Sequence, residues 1–270
     1  QPTLLTKRGA SQWGAMLAAG LALCAPALAQ QPIAAVTAPA DALVGEDFHF
    51  ALTFANATGS PVGFGPFIDV AVNFGGADDN LPISAPGPCD GINFIKAEMV
   101  GVNPSPLALK ATKRGNTVDT NCPATTDAHP YADVAAAGMS FPAGWQVTTI
   151  ELPFGSFEAD QPPIEVDVTA HMHSHADRGA PLEICTRGGF RFGALATGGP
   201  PILQSGMSGA ADTWVCTKVS PQVFLIGKAY VGPENETATG PNFVRQYEIT
   251  LDIAKGQTVG GGANPLRVSD

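Results

Sequence analysis

The amino-acid sequence predicts an all-β protein in which antiparallel strands form a β-sandwich. Two observations lead to this prediction. Several runs alternate between apolar and polar residues, and no convincing 3.6-residue period follows residue 30. The 31 glycines and 24 prolines of the 270-residue chain also cluster between those runs, where they favour tight turns.

The clearest strand pattern is Asp47–Asn56, in which Phe48, Phe50, Leu52 and Phe54 fall on one face. Such alternation is typical of a strand with one buried and one solvated face. The same alternation predicts strands at 67–74, 164–175 and 243–253, and weaker patterns predict strands at 94–102, 106–111, 145–152, 182–192, 213–218 and 223–230.

Residues 1–29 have the order of a secretory signal peptide. Lys7 and Arg8 supply positive charge, an apolar stretch covers residues 15–23, and the small residues Ala27 and Ala29 follow. We therefore predict cleavage after Ala29 and export to the periplasm, the cell surface or the exterior. The apolar stretch is too short to span a bilayer, so no membrane span is expected once the signal is removed.

Cys24 gives this segment a second interpretation, as a lipoprotein signal that would anchor the chain through a lipid on that cysteine. The residue before such a cysteine is normally small, whereas Leu23 is large. We therefore expect Cys24 to be removed with the signal peptide.

Cys89, Cys122, Cys185 and Cys216 remain after cleavage, an even number that suits disulfides in an oxidising compartment. Four cysteines allow three pairings, of which we expect the sequential one, Cys89–Cys122 and Cys185–Cys216. Free buried thiols are the alternative. A zinc site is less favoured because no C-x-x-C pair is present.

The chain is expected to hold one complete domain and part of another. Residues 30–218 contain enough strands for a complete sandwich, whereas residues 219–270 contain two good strand patterns and a short apolar piece. About 50 residues do not bury a sandwich core alone. We therefore expect residues 219–270 to be a truncated second β-domain. Gln1 in place of Met suggests a fragment at the other end as well.

The charge balance argues against nucleic acid as a partner. The formal net charge is −10, charged residues make up only 14% of the chain, and the sequence has no basic cluster. Nucleic-acid binding normally depends on clustered lysine and arginine, so it is not expected here.

The run His171-Met172-His173-Ser174-His175 is the strongest candidate for a metal site. If the predicted strand continues through it, the three imidazoles lie on one face, where histidines at alternate positions can bind zinc, copper or nickel. Same-face residues are about 6.5–7 Å apart along a strand, so two of them reach one ion more readily than three. The alternative is an ordinary solvent-exposed strand face.

Asp78, Asp79 and Asp90 supply the carboxylate oxygens that calcium prefers, in predicted loops. Aspartate is also common in plain turns, and the ordered spacing of a calcium-binding loop is missing. Glu234 and Glu236 show the same ambiguity. No cofactor is predicted, and calcium and zinc are the only candidates.

Catalytic motifs are sparse. The run at 206–209 lacks the spacing of a nucleophile elbow, and neither a P-loop nor a Rossmann fingerprint is present. Trp145 and Trp214 could form a carbohydrate-binding platform. The chain has only three tyrosines to extend such a surface, so core packing of both tryptophans is the better interpretation. We therefore expect a protein that is not an enzyme.

Several segments resemble the large exported bacterial proteins that carry the conserved-repeat domain, domain of unknown function eleven. The segment GEDFHFALTFANAT is similar to the opening strand of such domains, and RQYEITLDI with the later LRVSD is similar to a strand pair of the repeat. The segments GFGPFIDV, ADRGAPLEI and GGFRFG resemble the N-terminal regions of these proteins. The resemblance covers about half of the chain. It implies an Ig-like sandwich, with a jelly-roll-type arrangement as the alternative, and tandem β-domains downstream.

These observations together predict a non-catalytic, exported β-sandwich module with a structural or adhesive role in a larger repeat protein. Cell-surface or extracellular-matrix partners would suit that role. Two alternatives stay open, a calcium- or carbohydrate-binding adhesion module and a metal-binding protein that uses His171, His173 and His175. A metalloenzyme would need three ligands that converge on a cavity with an open position.

Overall fold

The computed structural model describes residues 31–74, 90–102, 105–115, 129, 131, 145–178, 180–204, 214–232 and 246–256. Within these ranges the chain forms strands and no helix, so the predicted all-β class is confirmed and no helix there could cross a membrane. In chain order the strands are β1 (Pro32–Thr37), β2 (Asp41–Leu43), β3 (Asp47–Asn56), β4 (Gly63–Phe64), β5 (Pro66–Asn73), β6 (Ile92–Met99), β7 (Leu107–Ala108), β8 (Lys110–Gly115), β9 (Trp145–Glu151), β10 (Ser156–Phe157), β11 (Ile164–Met172), β12 (Leu182–Phe190), β13 (Ile202–Leu203), β14 (Val215–Gln222), β15 (Phe224–Gly232) and β16 (Gln246–Ile253).

Two sheets form the layers of the sandwich. The first sheet has the order β1-β3-β11-β6-β7, and the second has the order β2-β14-β12-β5-β9-β8, with β13 paired to β12. The pairings within them are antiparallel, apart from the parallel contact of β2 with β14. Two ribbons, β4–β10 and β15–β16, form separate two-stranded sheets.

The apolar faces of the two sheets meet in one core. The four alternating apolar residues of β3 are each 8% exposed or less, as their spacing predicts. Phe54 is fully buried, edge-on to the rings of Phe157 and Phe190 at centroid distances of 5.4 and 5.6 Å. A buried side chain of this size stabilises the fold by about 1.5–3 kcal/mol relative to an exposed one. The period-2 pattern therefore determines which face of β3 builds the core.

The burial of β5 differs from the prediction of a half-buried strand. Seven of its eight residues are buried, on both faces. Phe67 and Asp69 point away from the core and are nevertheless fully buried. They are covered because the rings of His129 and Tyr131 lie against Phe67, and His129 also contacts Asp69.

The side-chain amide of Gln204 joins the two sheets at one edge. Its Oε1 atom accepts hydrogen bonds from the N–H of Ala34 on β1 at 2.9 Å and from the N–H of Gly188 on β12 at 3.1 Å. The backbone N–H of Gln204 also donates to the carbonyl of Gly188 at 2.8 Å. One buried amide thus satisfies two backbone donors where neighbouring strands belong to different sheets.

Several strands were not predicted from the sequence, or were predicted with different bounds. The strands β1, β2, β4, β10 and β13 have two to six residues, too few for their alternation to stand out. The strand predicted at 106–111 is two strands, β7 and β8, and the one predicted at 164–175 ends at Met172. Residues 243–245 of another predicted strand lie outside the described ranges. β14 runs past residue 218 to Gln222, and the division of the chain into 30–218 and 219–270 stays a prediction.

Candidate functional site

Two histidines on the outer face of the first sheet pair with carboxylates across strands. Nδ1 of His171 lies 2.7 Å from Oδ1 of Asp47, and Nδ1 of His49 lies 2.8 Å from Oδ2 of Asp167. These four side chains are 34–61% exposed, so each pair contributes at most about 1 kcal/mol to stability. His171 is therefore engaged with Asp47 on β3.

The predicted alignment of three histidines on one strand face is wrong, because β11 ends at Met172. His173 and His175 lie beyond the strand end, where Nδ1 of His173 accepts a hydrogen bond from the His175 N–H at 3.2 Å. Their rings stand edge to face with 5.4 Å between centroids. Because Nδ1 is the acceptor, Nε2 of the neutral His173 ring carries the proton and offers no lone pair to a metal.

The electrostatic surroundings of His173 favour its neutral form. Burial lowers the pKa of His173 from its ordinary 6.5, and the charges of His175 and His171 lower it further. Across the described ranges, no three His, Cys, Asp or Glu side chains gather closely enough to hold a metal ion. Metal binding by His171, His173 and His175 stays a prediction, with His173 and His175 as the two that are in contact.

Of the three predicted calcium ligands, Asp90 alone lies in the described part of the chain. It directly precedes Gly91 and β6, and it is 4% exposed. Asp78 and Asp79 lie outside the described residues, as do Glu234 and Glu236. Calcium binding therefore stays a prediction.

The predicted disulfide between Cys185 and Cys216 is confirmed. Cys185 on β12 and Cys216 on β14 are directly opposite each other in the register of the two strands. The bond therefore links two neighbouring strands of the second sheet. Cys89 and Cys122, the other predicted pair, lie outside the described residues.

Trp145 and Trp214 lie on the outer face of the second sheet and are partly buried. Both pack against a small apolar cluster formed by Ala71, Val147 and Cys185. Their indoles therefore contribute to the packing of this face. Carbohydrate binding by these tryptophans stays a prediction.

The outer face of the second sheet also carries a buried polar group that the sequence analysis missed. We call it the Asp69 cluster; it consists of Asp69, His129, Thr149 and Arg187, each 4% exposed or less. The Asp69 carboxylate accepts hydrogen bonds from the Thr149 hydroxyl at 2.6 Å and from Nε of Arg187 at 3.1 Å. Nε2 of His129 lies 3.2 Å from the same carboxylate.

Strand register explains why these side chains meet. Asp69 on β5 lies directly opposite Arg187 on β12 and Thr149 on β9, so three neighbouring strands place them in one row. Directly opposed residues have Cβ atoms about 4.5–5.5 Å apart, within reach of a hydrogen bond between side chains. The available signal was a charged residue inside an otherwise apolar strand, as in FIDVAV.

Further contacts hold the Asp69 cluster in one geometry. Nδ1 of His129 accepts the N–H of Tyr131 at 3.0 Å, so Nε2 carries the proton and donates it to Asp69. The guanidinium of Arg187 lies 4.7 Å from the centre of the Trp214 ring, a cation–π distance. The positive charge of Arg187 therefore has a carboxylate within hydrogen-bond distance and an aromatic ring beside it.

Tyr131 is held in the same region. Burial and the neighbouring carboxylates of Glu151 and Asp69 raise the pKa of Tyr131 to about 12, although Arg191 opposes the shift. The Arg191 guanidinium lies 4.5 Å from the centre of the Tyr131 ring. The tyrosine is therefore neutral at physiological pH and packs as an aromatic group.

The Asp69 cluster has the residue types of a catalytic triad without its arrangement. The Thr149 hydroxyl donates to the carboxylate, and both nitrogens of His129 are engaged, one with Tyr131 and one with Asp69. The side chains of Asp69, His129 and Arg187 are 0% exposed. Because the groups bind one another and are closed to solvent, the cluster is suited to fastening residues 129 and 131 onto the sheet.

Removing the charge of Asp69 should destabilise the protein strongly. Asp69→Asn leaves the buried Arg187 without its counter-ion, for which we expect a loss of about 3–5 kcal/mol in the free energy of unfolding. Urea denaturation measures this loss. The control is Asp47→Asn, which removes a surface pair and should cost no more than about 1 kcal/mol. Equal losses in the two variants would contradict the assignment, and Asp69→Leu with Arg187→Met should recover most of the stability.

The lowered pKa of His173 predicts a pH dependence of stability. Since folding lowers this pKa from 6.5, the unfolded chain binds more protons than the folded protein just below that pH. The corresponding stability is present above pH 6.5 and is lost as the pH falls towards the lowered pKa. Unfolding measured against pH should show a shallower acid loss in His173→Asn than in the control Ser174→Ala. Identical slopes in the two variants would rule out this contribution.

No family model matches the chain, and no curated protein matches it. Solved structures with a similar fold include AvmM, which catalyses macrocyclization in alchivemycin A biosynthesis (12% identity, TM-score 0.38, 77% of this chain and 93% of that chain). They also include a cohesin module of a Clostridium perfringens family 33 glycoside hydrolase (7% identity, TM-score 0.37, 72% and 97%). A third is the sixth cohesin of Acetivibrio cellulolyticus scaffoldin B, solved in complex with a Cel5 dockerin mutant (9% identity, TM-score 0.35, 71% and 99%). At these identities and scores the likeness concerns the β fold alone.

Proposed function

We propose that this chain is a non-catalytic β-sandwich module of an exported or cell-surface protein, with a structural or adhesive role. The observation that carries the proposal is the closed construction of the second sheet. Its outer face buries the ion pair of Asp69 and Arg187, whose carboxylate also accepts a hydrogen bond from the Thr149 hydroxyl, and a cross-strand disulfide joins two of its neighbouring strands. This outer face therefore stabilises the module, whereas the loops and the exposed strand faces elsewhere in the module remain available for contacts.

The disulfide supports the exported location. Disulfides persist in oxidising compartments and are rare in the cytosol, where thiols are kept reduced. The bond between Cys185 and Cys216 therefore agrees with the signal peptide that residues 1–29 predict. A module outside the cell also gains from covalent cross-links, because a disulfide typically adds about 2–4 kcal/mol of stability.

The chain beyond β14 belongs in this proposal to the beginning of a second β-unit. The ribbon β15–β16 forms its own two-stranded sheet and pairs with neither layer of the sandwich in the described residues. An isolated two-stranded ribbon is marginally stable in water, so it needs further strands or a covering surface. This arrangement suits a module that continues into, or assembles with, other β-structure.

Export is tested by following the full chain in a bacterial host. We expect it outside the cytoplasm, beginning at Gln30 after cleavage, with Cys185 and Cys216 oxidised to a disulfide. Cell fractionation locates the protein, and mass spectrometry of the alkylated chain gives its N-terminus and thiol state. Ala29→Leu should block cleavage, because the residue before the cleaved bond must be small.

Cys24→Ala is the matched control for the export experiment. It lies in the same segment and leaves the predicted cleavage after Ala29 unaffected, whereas it would abolish processing of a lipoprotein signal. Retention of the unprocessed chain in the cytoplasm with reduced Cys185 and Cys216 would contradict the proposed location.

A further inference from the structure

The two cysteines of the disulfide differ sharply in their exposure to solvent. Cys185 on β12 is 2% exposed, whereas Cys216 on β14 is an exposed residue. They are directly opposite each other in the register, so their side chains lie on the same face of the second sheet. The bond therefore joins a buried residue to an exposed one.

The places of β12 and β14 in the sheet explain this difference. β12 is paired on both sides, so Cys185 lies between Cys216 and Ala71 in the register. It also belongs to the small apolar cluster against which both tryptophans pack. β14 pairs with β12 over Val215–Val219, but its parallel pairing with β2 begins only at Ser220. Within the described ranges, the stretch that carries Cys216 is therefore strand-paired on one side.

This asymmetry determines which sulfur an external thiol can reach. A disulfide is exchanged when a thiolate attacks one of its two sulfurs, and the rate depends on access to the sulfur attacked. Attack at Cys185 requires the apolar cluster to open first, whereas attack at Cys216 starts from the solvent side. Exchange in the folded protein should therefore begin at Cys216.

We propose that Cys216 is a thiol-exchange site of the folded module, at which a low-molecular-mass thiol such as glutathione becomes attached. The thiolate sulfur forms a bond to Sγ of Cys216, and the bond between Cys216 and Cys185 breaks. The electron pair of that bond leaves on Sγ of Cys185, which takes up a proton from water. The products are a mixed disulfide at Cys216 and a free thiol at Cys185. This modification goes beyond the proposed module function, and it depends on the disulfide rather than on the signal peptide.

The surroundings of Cys185 favour persistence of the mixed disulfide. The released sulfur is left among apolar side chains, which favour the neutral thiol over the charged thiolate. The thiolate is the nucleophile in disulfide exchange, so a neutral thiol is slow to attack the mixed disulfide and expel the glutathione. The adduct at Cys216 should therefore last long enough to be isolated.

The strand pairing around the disulfide does not depend on the covalent bond. β12 and β14 are paired in register from Leu182 opposite Val219 to Thr186 opposite Val215. Val219 is also fully buried in the main core, which holds β14 in place from the inner side. The module should therefore stay folded when the disulfide is opened.

Incubation of the purified full chain with reduced glutathione, without denaturant, tests the proposal. The reaction is quenched with acid, the remaining thiols are alkylated after unfolding, and peptide mass mapping locates each group. We expect glutathione on Cys216 and the alkyl group on Cys185, with an unchanged circular dichroism spectrum. An adduct that forms only in unfolding concentrations of urea, or that forms on Cys185, would overturn the proposal.

Cys185→Ser and Cys216→Ser form a matched pair, because each variant lacks the disulfide and keeps one of its sulfurs. With glutathione disulfide as the probe, Cys216 in the first variant should be modified at least about 100-fold faster than Cys185 in the second, since the buried thiol must wait for local opening. Peptide mapping separates these reactions from those of other cysteines. Equal rates at the two positions would contradict the assignment of the exchange to Cys216.

Discussion

The carboxylate of Asp69 lies in the middle of β5 with no exposure to water, and the outer face of the second sheet is organised around it. An unpaired charge in that place would cost several kcal/mol, so the fold must bring donors to it. Thr149 and Arg187 come from the two strands that flank β5, and Nε2 of His129 lies against the same carboxylate. The position of this one acid therefore constrains the register of three strands and the placement of His129.

The two faces of the second sheet are stabilised by different kinds of interaction. Its inner face joins the apolar core, where many similar side chains would serve if their volume were conserved. Its outer face depends on particular partners, because Nε2 of His129 and the guanidinium of Arg187 contact the Asp69 carboxylate in one arrangement. Buried polar groups that hydrogen-bond one another favour a unique packing. The disulfide beside the cluster and the amide of Gln204 also favour one packing. Each of them joins strands that are separate in sequence.

The parts of the fold that follow from local alternation were predictable from the sequence. β3 is the clearest case, since burial of every second residue needs no knowledge of its neighbours. The end of β11 was not predictable, because it depends on tertiary hydrogen bonds: the N–H of His173 donates to the carbonyl of Gly91, and the N–H of Met172 donates to that of Glu46. The Asp69 cluster escaped prediction for the same reason. Its other members lie 60 to 118 residues from Asp69 in sequence, and they meet only when the register of β5, β9 and β12 is known. The disulfide of Cys185 and Cys216 could be predicted, because the even number of cysteines and their order along the chain already favoured this pairing.

The most direct test of this account is the protonation state of the His129 ring, read from its ring nitrogens by NMR at neutral pH. We expect the neutral tautomer with the proton on Nε2, together with a Tyr131 amide that is protected from hydrogen exchange. A His129 ring that carries its proton on Nδ1, or a Tyr131 amide that exchanges as fast as in an unfolded chain, would contradict the central role assigned to Asp69.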